Sequence, residues 1–276
     1  MTYFLTSSPC LPDSPALNPV NGFVDELRQA LPGPCRALFV ASDPDDPEHT
    51  YRFYHDMPGS FAEIGIPFTQ ADVLIRENQD RCGELIANAD VIFLCGGHVP
   101  TQNAFFQDIA LRERLQNWDG VAIGVSAGSM NAADVVYAQP EEPGEAIDPD
   151  YQRWLPGLGL TKLMTIPHYN QDKDWTLDGM RLYEDITYAD SIGHKFYVLV
   201  DGSFILGRGG REELRGEAYL IENGALTQNS GENDIIILKK RRPHGVEAMG
   251  PLFCVFGRWV RRGSPGPGCP RCGTAG

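Results

Sequence analysis

Short apolar runs alternate with stretches of helical patterning along the first half of the chain. The apolar runs have the length and the composition of buried strands, and they occupy residues 3–6, 37–41, 91–95 and 121–125. The stretches between them include residues 22–31 and 105–115, where apolar residues recur at helical spacing. This alternation predicts an α/β fold in which helices cover both faces of a mainly parallel sheet, a three-layer α/β/α sandwich.

The pattern changes in the second half. A polar stretch with several acids, residues 139–150, predicts a surface loop, and a β-rich section follows with predicted strands at 195–200, 203–206, 217–221 and 234–238. Asp201-Gly202 and Asn223-Gly224 separate strands in this section and favour tight hairpins. Beyond residue 238 the chain is rich in Arg, Pro and Gly. We therefore predict one α/β domain over residues 1–238 and a basic, poorly ordered tail over residues 239–276.

Composition limits the binding partners and the cellular compartment that we expect for this protein. The chain of 276 residues has a formal net charge of −14, which argues against nucleic acid and anionic membranes as partners. Seven cysteines, an odd number spread over the chain, indicate no disulfide framework and fit a reducing compartment. No signal peptide or membrane-length apolar segment is evident, so we expect a soluble, cytoplasmic protein. A homodimer is one oligomeric state that the sequence leaves open.

The run at 121–128 ends in Gly-x-Ser-x-Gly, which predicts a sharp strand-to-helix turn with Ser126 at its apex. The glycines at 124 and 128 permit the unusual backbone angles and close chain approach of such a nucleophile elbow. Backbone N–H groups at the start of the following helix would be free to stabilise an oxyanion. The alternative is a strand-to-helix junction of small residues without catalytic function.

A serine nucleophile needs a base, and His168 is the best placed of the six histidines. Pro167 ends a predicted strand, so His168 should lie at the same sheet edge as Ser126. His98 follows Gly96-Gly97 and is a candidate to line the same pocket. The alternative for His168 is a partly buried, hydrogen-bonded histidine with no catalytic role.

The base in turn needs an acid that fixes its tautomer, and Asp201 is the candidate because it follows a predicted strand. On spacing alone, the simpler interpretation of Asp201 is the first residue of an Asp-Gly hairpin turn. The acids that compete for the same role are Glu141, Glu142, Asp172 and Asp174.

An oxyanion hole requires two donors. The N–H of Ala127, directly after the serine, is the first candidate, and Gly97 at the end of a predicted strand is the second. The alternative for Gly97 is an ordinary glycine turn between a strand and a helix.

Taken together, the segments Cys-Gly-Gly-His, Ile-Gly-Val-Ser-Ala-Gly-Ser-Met-Asn, Ile-Pro-His-Tyr and Leu-Val-Asp-Gly-Ser-Phe-Ile resemble the peptidase E and cyanophycinase family of serine peptidases over residues 35–225. The resemblance implies a class I glutamine-amidotransferase-like (flavodoxin-like) fold with serine in place of the cysteine of the amidotransferases. It implies Ser126 as nucleophile, His168 as base, and Gly97 with Ala127 as oxyanion donors. Asp201 stands where peptidase E has a glutamate, and its side chain is one methylene shorter.

Peptidase E prefers dipeptides with an N-terminal aspartate, and an arginine downstream of the histidine recognises that residue. The resemblance therefore implies a substrate-binding role for Arg181. Arg181 could equally be a solvated helix residue paired with Glu184 or Asp185. His98 differs from the Asn or Asp that follows Gly-Gly in better-known members.

The sequence thus predicts a serine peptidase that hydrolyses small peptides through Ser126, His168 and Asp201, with aspartyl dipeptides as candidate substrates. No metal or organic cofactor is expected, because no metal-ligand constellation or phosphate-loop spacing is evident. One alternative is an esterase or amidase with a related elbow, although α/β-hydrolases place the acid before the histidine. The other is a catalytically silent, amidotransferase-like binding protein.

Overall fold

The computed structural model describes residues 1–239. The predicted tail, residues 239–276, lies outside the described residues apart from the backbone of its first residue, so the boundary at 238 stays a prediction. Among the helices of the described part, none combines the length and apolar character that a bilayer crossing demands.

The described residues form short strands and helices in alternation. The strands are β1 (Thr2–Thr6), β2 (Cys35–Val40), β3 (Phe68–Leu74), β4 (Val91–Leu94), β5 (Val121–Val125), β6 (Val135–Tyr137), β7 (Trp154–Pro156), β8 (Met164–Ile166), β9 (Thr176–Leu177), β10 (Met180–Arg181), β11 (Lys195–Leu199), β12 (Phe204–Arg208), β13 (Arg211–Arg215), β14 (Ala218–Glu222), β15 (Ala225–Ser230) and β16 (Ile235–Lys239). The α-helices are α1 (Phe23–Ala30), α2 (Glu48–Glu63), α3 (Cys82–Asn88), α4 (Val99–Asp108), α5 (Leu111–Leu115), α6 (Ala127–Asn131), α7 (Tyr169–Asp172) and α8 (Tyr188–Asp190). Short 3₁₀ helices cover Val20–Gly22 and Arg76–Arg81, and a π-helix covers Leu182–Thr187.

The central sheet has eight strands in the order β16-β13-β12-β1-β5-β4-β2-β3. The five strands from β1 to β3 run parallel to one another, and β12, β13 and β16 extend the sheet by antiparallel pairing. The predicted α/β architecture with a mainly parallel sheet is therefore confirmed. β1 and β5 are neighbours at the centre, so the chain segments that leave their carboxyl ends begin side by side.

Alternate residues of the central strands enter two separate cores, as the two-residue repeat of a strand requires. On one face, strand residues pack with α1 and α2 in a cluster that includes Phe4, Phe39, Phe93, Phe23 and Phe61. On the other face, they pack with α3 and α4 in a cluster that includes Leu5, Leu38, Ile92, Ile86 and Phe105. Burial on both faces is what makes the strands read as nearly continuous apolar runs.

A second sheet has four strands in the order β15-β14-β11-β8, and two of the predicted site residues follow its strands β8 and β11. β8 and β11 are parallel neighbours, and Ile166 near the end of β8 pairs with Val198 near the end of β11. The segments after these strands, which contain His168 and Asp201, are therefore adjacent although 33 residues separate them.

Two local expectations differ from the structure. Asp201-Gly202 does not close a hairpin, because β11 belongs to the four-stranded sheet whereas β12 belongs to the central sheet. The Asn223-Gly224 turn does close one, between β14 and β15. The predicted helix at 105–115 is interrupted at Ala110, whose φ of 48° is left-handed, so two helices form in place of one.

Candidate active site

Ser126 lies between the last residue of β5 and the first residue of α6. Its backbone has φ 49° and ψ −113°, a conformation that a residue with a side chain rarely adopts and that tends to occur at functional sites. The turn is held by the Ser126 N–H, which donates to the carbonyl of Thr6 at 3.1 Å.

The flanking glycines are required by close packing. A Cβ at position 128 would lie 2.0 Å from the backbone oxygen of Leu94, and one at 124 would lie 2.9 Å from the backbone of Ser129. Side chains at either position would push the turn away from β4 or distort α6. The Gly-x-Ser-x-Gly spacing therefore reflects the contacts that hold Ser126 in place.

His168 follows β8 and Pro167 and also has a left-handed backbone, with φ 57°. The His168 N–H donates to the hydroxyl of Ser7 at 2.8 Å. Its ring Nδ1 lies 2.8 Å from Oδ1 of Asp201 and must be the donor in this bond, since a carboxylate only accepts. The Nε2 atom is left for a substrate or a serine hydroxyl. Within residues 1–239 no hydrogen bond joins His168 to Ser126, so proton transfer requires a closer approach than the one in this structure.

Three donors converge on the Asp201 carboxylate. The Ser7 hydroxyl donates to Oδ1 at 2.6 Å, and Nε2 of Gln171 donates to Oδ2 at 2.6 Å, in addition to the His168 ring. Burial opposes ionisation, but these hydrogen bonds outweigh it and lower the pKa of Asp201 below its ordinary value. Asp201 is therefore ionised and fixed against His168.

Electrostatics favour a charged imidazole at this position. Burial of the His168 ring disfavours its cationic form, yet the hydrogen bond and the charge of Asp201 outweigh burial and raise the pKa of His168. The charges of Asp172 and Glu141 act in the same direction. The site is thus arranged to stabilise the imidazolium that forms when a histidine base accepts a proton.

Ser126 and His168 line one small cavity of about 60 Å³, and Gly97 and Ala127 line it with them. Ala127 is the first residue of α6, and N–H groups at that position have no partner within the helix. Gly97 approaches Ser42 so closely that a Cβ would lie 2.6 Å from the Ser42 Cβ. The structure thus brings together the predicted nucleophile, base and oxyanion donors at one cavity.

Two of the acids that compete with Asp201 also line this cavity, Glu141 and Asp172. Burial raises the pKa of both carboxyl groups. Glu141 accepts a hydrogen bond from the N–H of Val99 at 2.9 Å. The ionisable groups of the lining that the described residues provide are therefore these two carboxyls and the His168 imidazole, with no lysine or arginine among them.

The two residues predicted to bind substrate do not line the cavity. Arg181 is exposed and forms an ion pair with Asp185 at 2.6 Å, which is one of the two pairings that its sequence context allowed. It ends β10 rather than standing inside a helix. His98 directs Nε2 to Glu145 at 2.8 Å and Nδ1 to Thr101 at 2.7 Å.

His98 instead helps to hold the loop at 139–150 against the site. Glu145, its partner, also accepts the N–H groups of Glu141 and Glu142 at 2.9 and 3.0 Å. The far side of the loop is fixed by Asp178, which accepts N–H groups of residues 144 and 146. These bonds place Glu141 at the cavity wall.

His98, Glu142 and Glu145 are the group in the described part of the chain whose ligand atoms, all within 4.8 Å of one another, could hold a metal ion. Glu142 is exposed, and the other two side chains already bond to each other. The group lies outside the cavity lining.

Sequence reasoning assigned no role to two residues of this arrangement, Ser7 and Gln171. Ser7 follows β1 directly, and its position after a central strand of a parallel sheet was the signal that could have found it. Gln171 is in α7, three residues after His168, and only the fold shows that it faces Asp201.

Comparison with known proteins adds an independent observation. The family model described as "Peptidase family S51" matches residues 4–214. No curated protein matches the chain significantly. Among solved structures, a peptidase from an acI-B1 Actinobacterium superposes with a TM-score of 0.58 at 20% identity, covering 86% of this chain and 96% of the other. A protein assigned to peptidase E from Listeria monocytogenes EGD-e superposes with a TM-score of 0.52 at 16% identity, covering 83% and 98%. At these identities the two structures establish a shared fold.

Proposed function

The chain belongs to peptidase family S51 and is a serine peptidase, and from this premise we propose that it hydrolyses small peptides through Ser126, His168 and Asp201. The observation that carries the proposal is the cavity that Ser126 and His168 line together, with the second ring nitrogen of His168 bound to Asp201. A hydroxyl, an imidazole and a carboxylate in this order are the parts that nucleophilic acyl transfer requires.

In the proposed reaction, the Ser126 hydroxyl attacks the peptide carbonyl while Nε2 of His168 takes its proton. The tetrahedral intermediate collapses as the C–N bond breaks, and His168 delivers that proton to the leaving amine. Water then attacks the acyl-enzyme with His168 again as base, which releases the acid product and restores the serine.

Two backbone N–H groups, those of Gly97 and Ala127, are proposed to stabilise the oxyanion. This role is supported by the position of both residues in the cavity lining beside Ser126, and by the position of Ala127 as the first residue of α6. Removing one donor of an oxyanion hole costs on the order of 10²-fold in rate. Asp201 would hold the imidazole in the tautomer that leaves Nε2 free to accept the proton.

The cavity favours small substrates that carry a positive charge near the scissile bond. Its volume is small, and its carboxyl groups are those of Glu141 and Asp172. Attraction between opposite charges is strong where water is excluded. A free N-terminal ammonium, which every unblocked dipeptide carries, is the simplest group that would supply this positive charge. For aspartyl dipeptides, recognition of the aspartate side chain by Arg181 would require Arg181 to leave Asp185.

A substrate panel tests the proposal. It contains dipeptides with N-terminal aspartate, isoaspartate or a neutral residue, the N-acetylated form of each, and small esters, all assayed with wild type and Ser126→Ala. We expect hydrolysis of free dipeptides, at least tenfold lower kcat/KM for the acetylated forms, and no turnover by Ser126→Ala. Undiminished hydrolysis by Ser126→Ala would rule out the proposed nucleophile.

The same panel separates the two alternatives. Faster hydrolysis of esters than of any dipeptide would indicate an esterase. Absence of hydrolysis, together with absence of acylation at Ser126, would indicate a silent binding protein with this fold.

A further inference from the structure

The carboxyl end of β1 contacts both halves of the candidate active site. β1 lies between β5 and β12 in the central sheet, and Ser7 follows it directly. The side chain of Ser7 is fully buried. A buried hydroxyl has one donor and two acceptor positions, so the partners it selects are a fixed part of the structure.

Thr6, the last residue of β1, holds the turn that contains Ser126. Its carbonyl accepts the N–H of Ser126 at 3.1 Å and the hydroxyl of Ser129 at 2.8 Å. Its own hydroxyl donates to the carbonyl of Gly124 at 2.7 Å. Both sides of the serine turn are therefore attached to one residue of β1.

Ser7, the next residue, holds the base and the acid. Its hydroxyl donates to Oδ1 of Asp201 at 2.6 Å and accepts the backbone N–H of His168 at 2.8 Å. These contacts span 194 and 161 residues of sequence. Thr6 thus holds the serine turn and Ser7 holds the His168–Asp201 pair. Because the Cα atoms of consecutive residues are about 3.8 Å apart, this connection fixes the separation between the two parts of the site.

We propose that Ser7 is a positioning residue, which sets the distance and orientation of His168 relative to Ser126 through its hydrogen bonds to His168 and Asp201. The inference rests on the proposed function, since it assigns Ser7 a role in that reaction. Ser7 is not itself among the residues that line the cavity, although its partner His168 is. It acts by fixing the left-handed backbone of His168 and by sharing Oδ1 of Asp201 with the His168 ring.

Removing the Ser7 hydroxyl has two effects on the pair. The half-buried N–H of His168 loses its acceptor, so the backbone can move and carry the ring with it. Oδ1 of Asp201 loses one donor and becomes more basic, which stabilises the imidazolium and raises the pKa of His168. Misplacement of a reacting group by about 1 Å can cost 10²-fold in rate, so we expect Ser7→Ala to lower kcat by about 10- to 100-fold. KM should change less than threefold, because the cavity wall is intact.

The chain offers a matched control in Ser191. It is also fully buried, its hydroxyl donates to the carbonyl of Tyr188 at 2.8 Å, and it accepts the N–H of Gly224 at 2.8 Å. Ser191→Ala therefore removes a hydroxyl with the same bonding pattern at a place outside the cavity lining. It should reproduce any general loss of stability without the loss of kcat.

The experiment measures kcat and KM over a range of pH for wild type, Ser7→Ala and Ser191→Ala, together with the pKa of the His168 ring by NMR titration. For Ser7→Ala we expect a lower kcat, a nearly constant KM, and an acid limb and ring pKa shifted to higher pH. Wild-type kcat and ring pKa in folded Ser7→Ala would overturn the proposal, as would equal changes in Ser191→Ala.

Two further measurements keep the test decisive. If Ser7→Ala does not fold, Ser7→Cys supplies a weak donor of similar size, and we expect intermediate values of kcat and ring pKa, whereas wild-type values would overturn the proposal. The NMR titration reads the contact of Ser7 with the His168–Asp201 pair without substrate. An inactive wild type would therefore count against the proposed function, whereas an unshifted titration counts against the role of Ser7.

Discussion

Replacing Asp201 by asparagine removes the carboxylate that orients His168 while nearly preserving side-chain volume. Three donors converge on this carboxylate, from Ser7, Gln171 and the His168 ring, at 2.6, 2.6 and 2.8 Å. An amide has a single acceptor oxygen and a donor NH₂ group, so it cannot satisfy all three. The NH₂ group facing Nδ1 would favour the tautomer protonated on Nε2, which cannot accept the serine proton.

The magnitude follows from the tautomer. Replacement of a triad acid by its amide lowers kcat by about 10⁴-fold, equivalent to ~5.4 kcal/mol of transition-state stabilisation.

The pH dependence of activity also changes in Asp201→Asn. In wild type, activity should fall as the pH drops through the raised pKa of His168, because the protonated ring is not a base. Without Asp201, burial dominates, the pKa of His168 decreases, and the acid limb of residual activity moves to lower pH.

The assay is steady-state hydrolysis of the best dipeptide from the panel over a range of pH, with Asp172→Asn as the matched control. Asp172 lines the cavity, and its charge also raises the pKa of His168, but its carboxylate does not contact the ring at hydrogen-bonding distance. We expect kcat of Asp172→Asn to stay within about tenfold of wild type. A kcat of Asp201→Asn within tenfold of wild type, or an equal loss in Asp172→Asn, would show that Asp201 does not fix the tautomer of His168.

Two further predictions concern stability and the loop over the site. Gly128→Ala places a methyl group 2.0 Å from the Leu94 carbonyl and should lower the free energy of unfolding by about 1–3 kcal/mol. Gly59→Ala, in open space within α2, should raise the free energy of unfolding by ~0.5–1 kcal/mol. Chemical denaturation of both variants measures the contrast, and unchanged stability of Gly128→Ala would contradict the close packing at this glycine. His98→Ala removes the hydrogen bond that restrains Glu145, so KM should rise about tenfold with a smaller change in kcat, and an unchanged KM would show that this bond does not support the cavity wall.

The local features of the site could be predicted from sequence because they depend on neighbouring residues. The glycines at 124 and 128 flank Ser126 within five positions, and the same close contacts that exclude side chains there produce the motif. Pro167 likewise marks the strand end before His168. The central strands are apolar runs because both faces of the central sheet are covered by helices. Their alternation with helical segments made the fold class predictable as well.

The acid and its supports depend on long-range contacts, which sequence patterns do not encode. Asp201-Gly202 has the composition of a hairpin turn, and only the pairing of β8 with β11 shows that it lies beside His168. Ser7 contacts partners more than 160 residues away. His98 was expected at the pocket because it follows two glycines, but its ring bonds to Glu145 in the loop at 139–150. Neither strand pairing nor loop placement could be read from local spacing.

Covalent labelling shows whether the hydroxyl of Ser126 is a nucleophile that His168 activates. Wild type, Ser126→Ala and His168→Ala are treated with a fluorophosphonate, and the modified residue is located by peptide mass spectrometry. We expect one adduct on Ser126 in wild type, none at that position in Ser126→Ala, and labelling at least 10²-fold slower in His168→Ala. An adduct on a different residue, or labelling of Ser126 at the same rate without His168, would show that His168 does not activate Ser126.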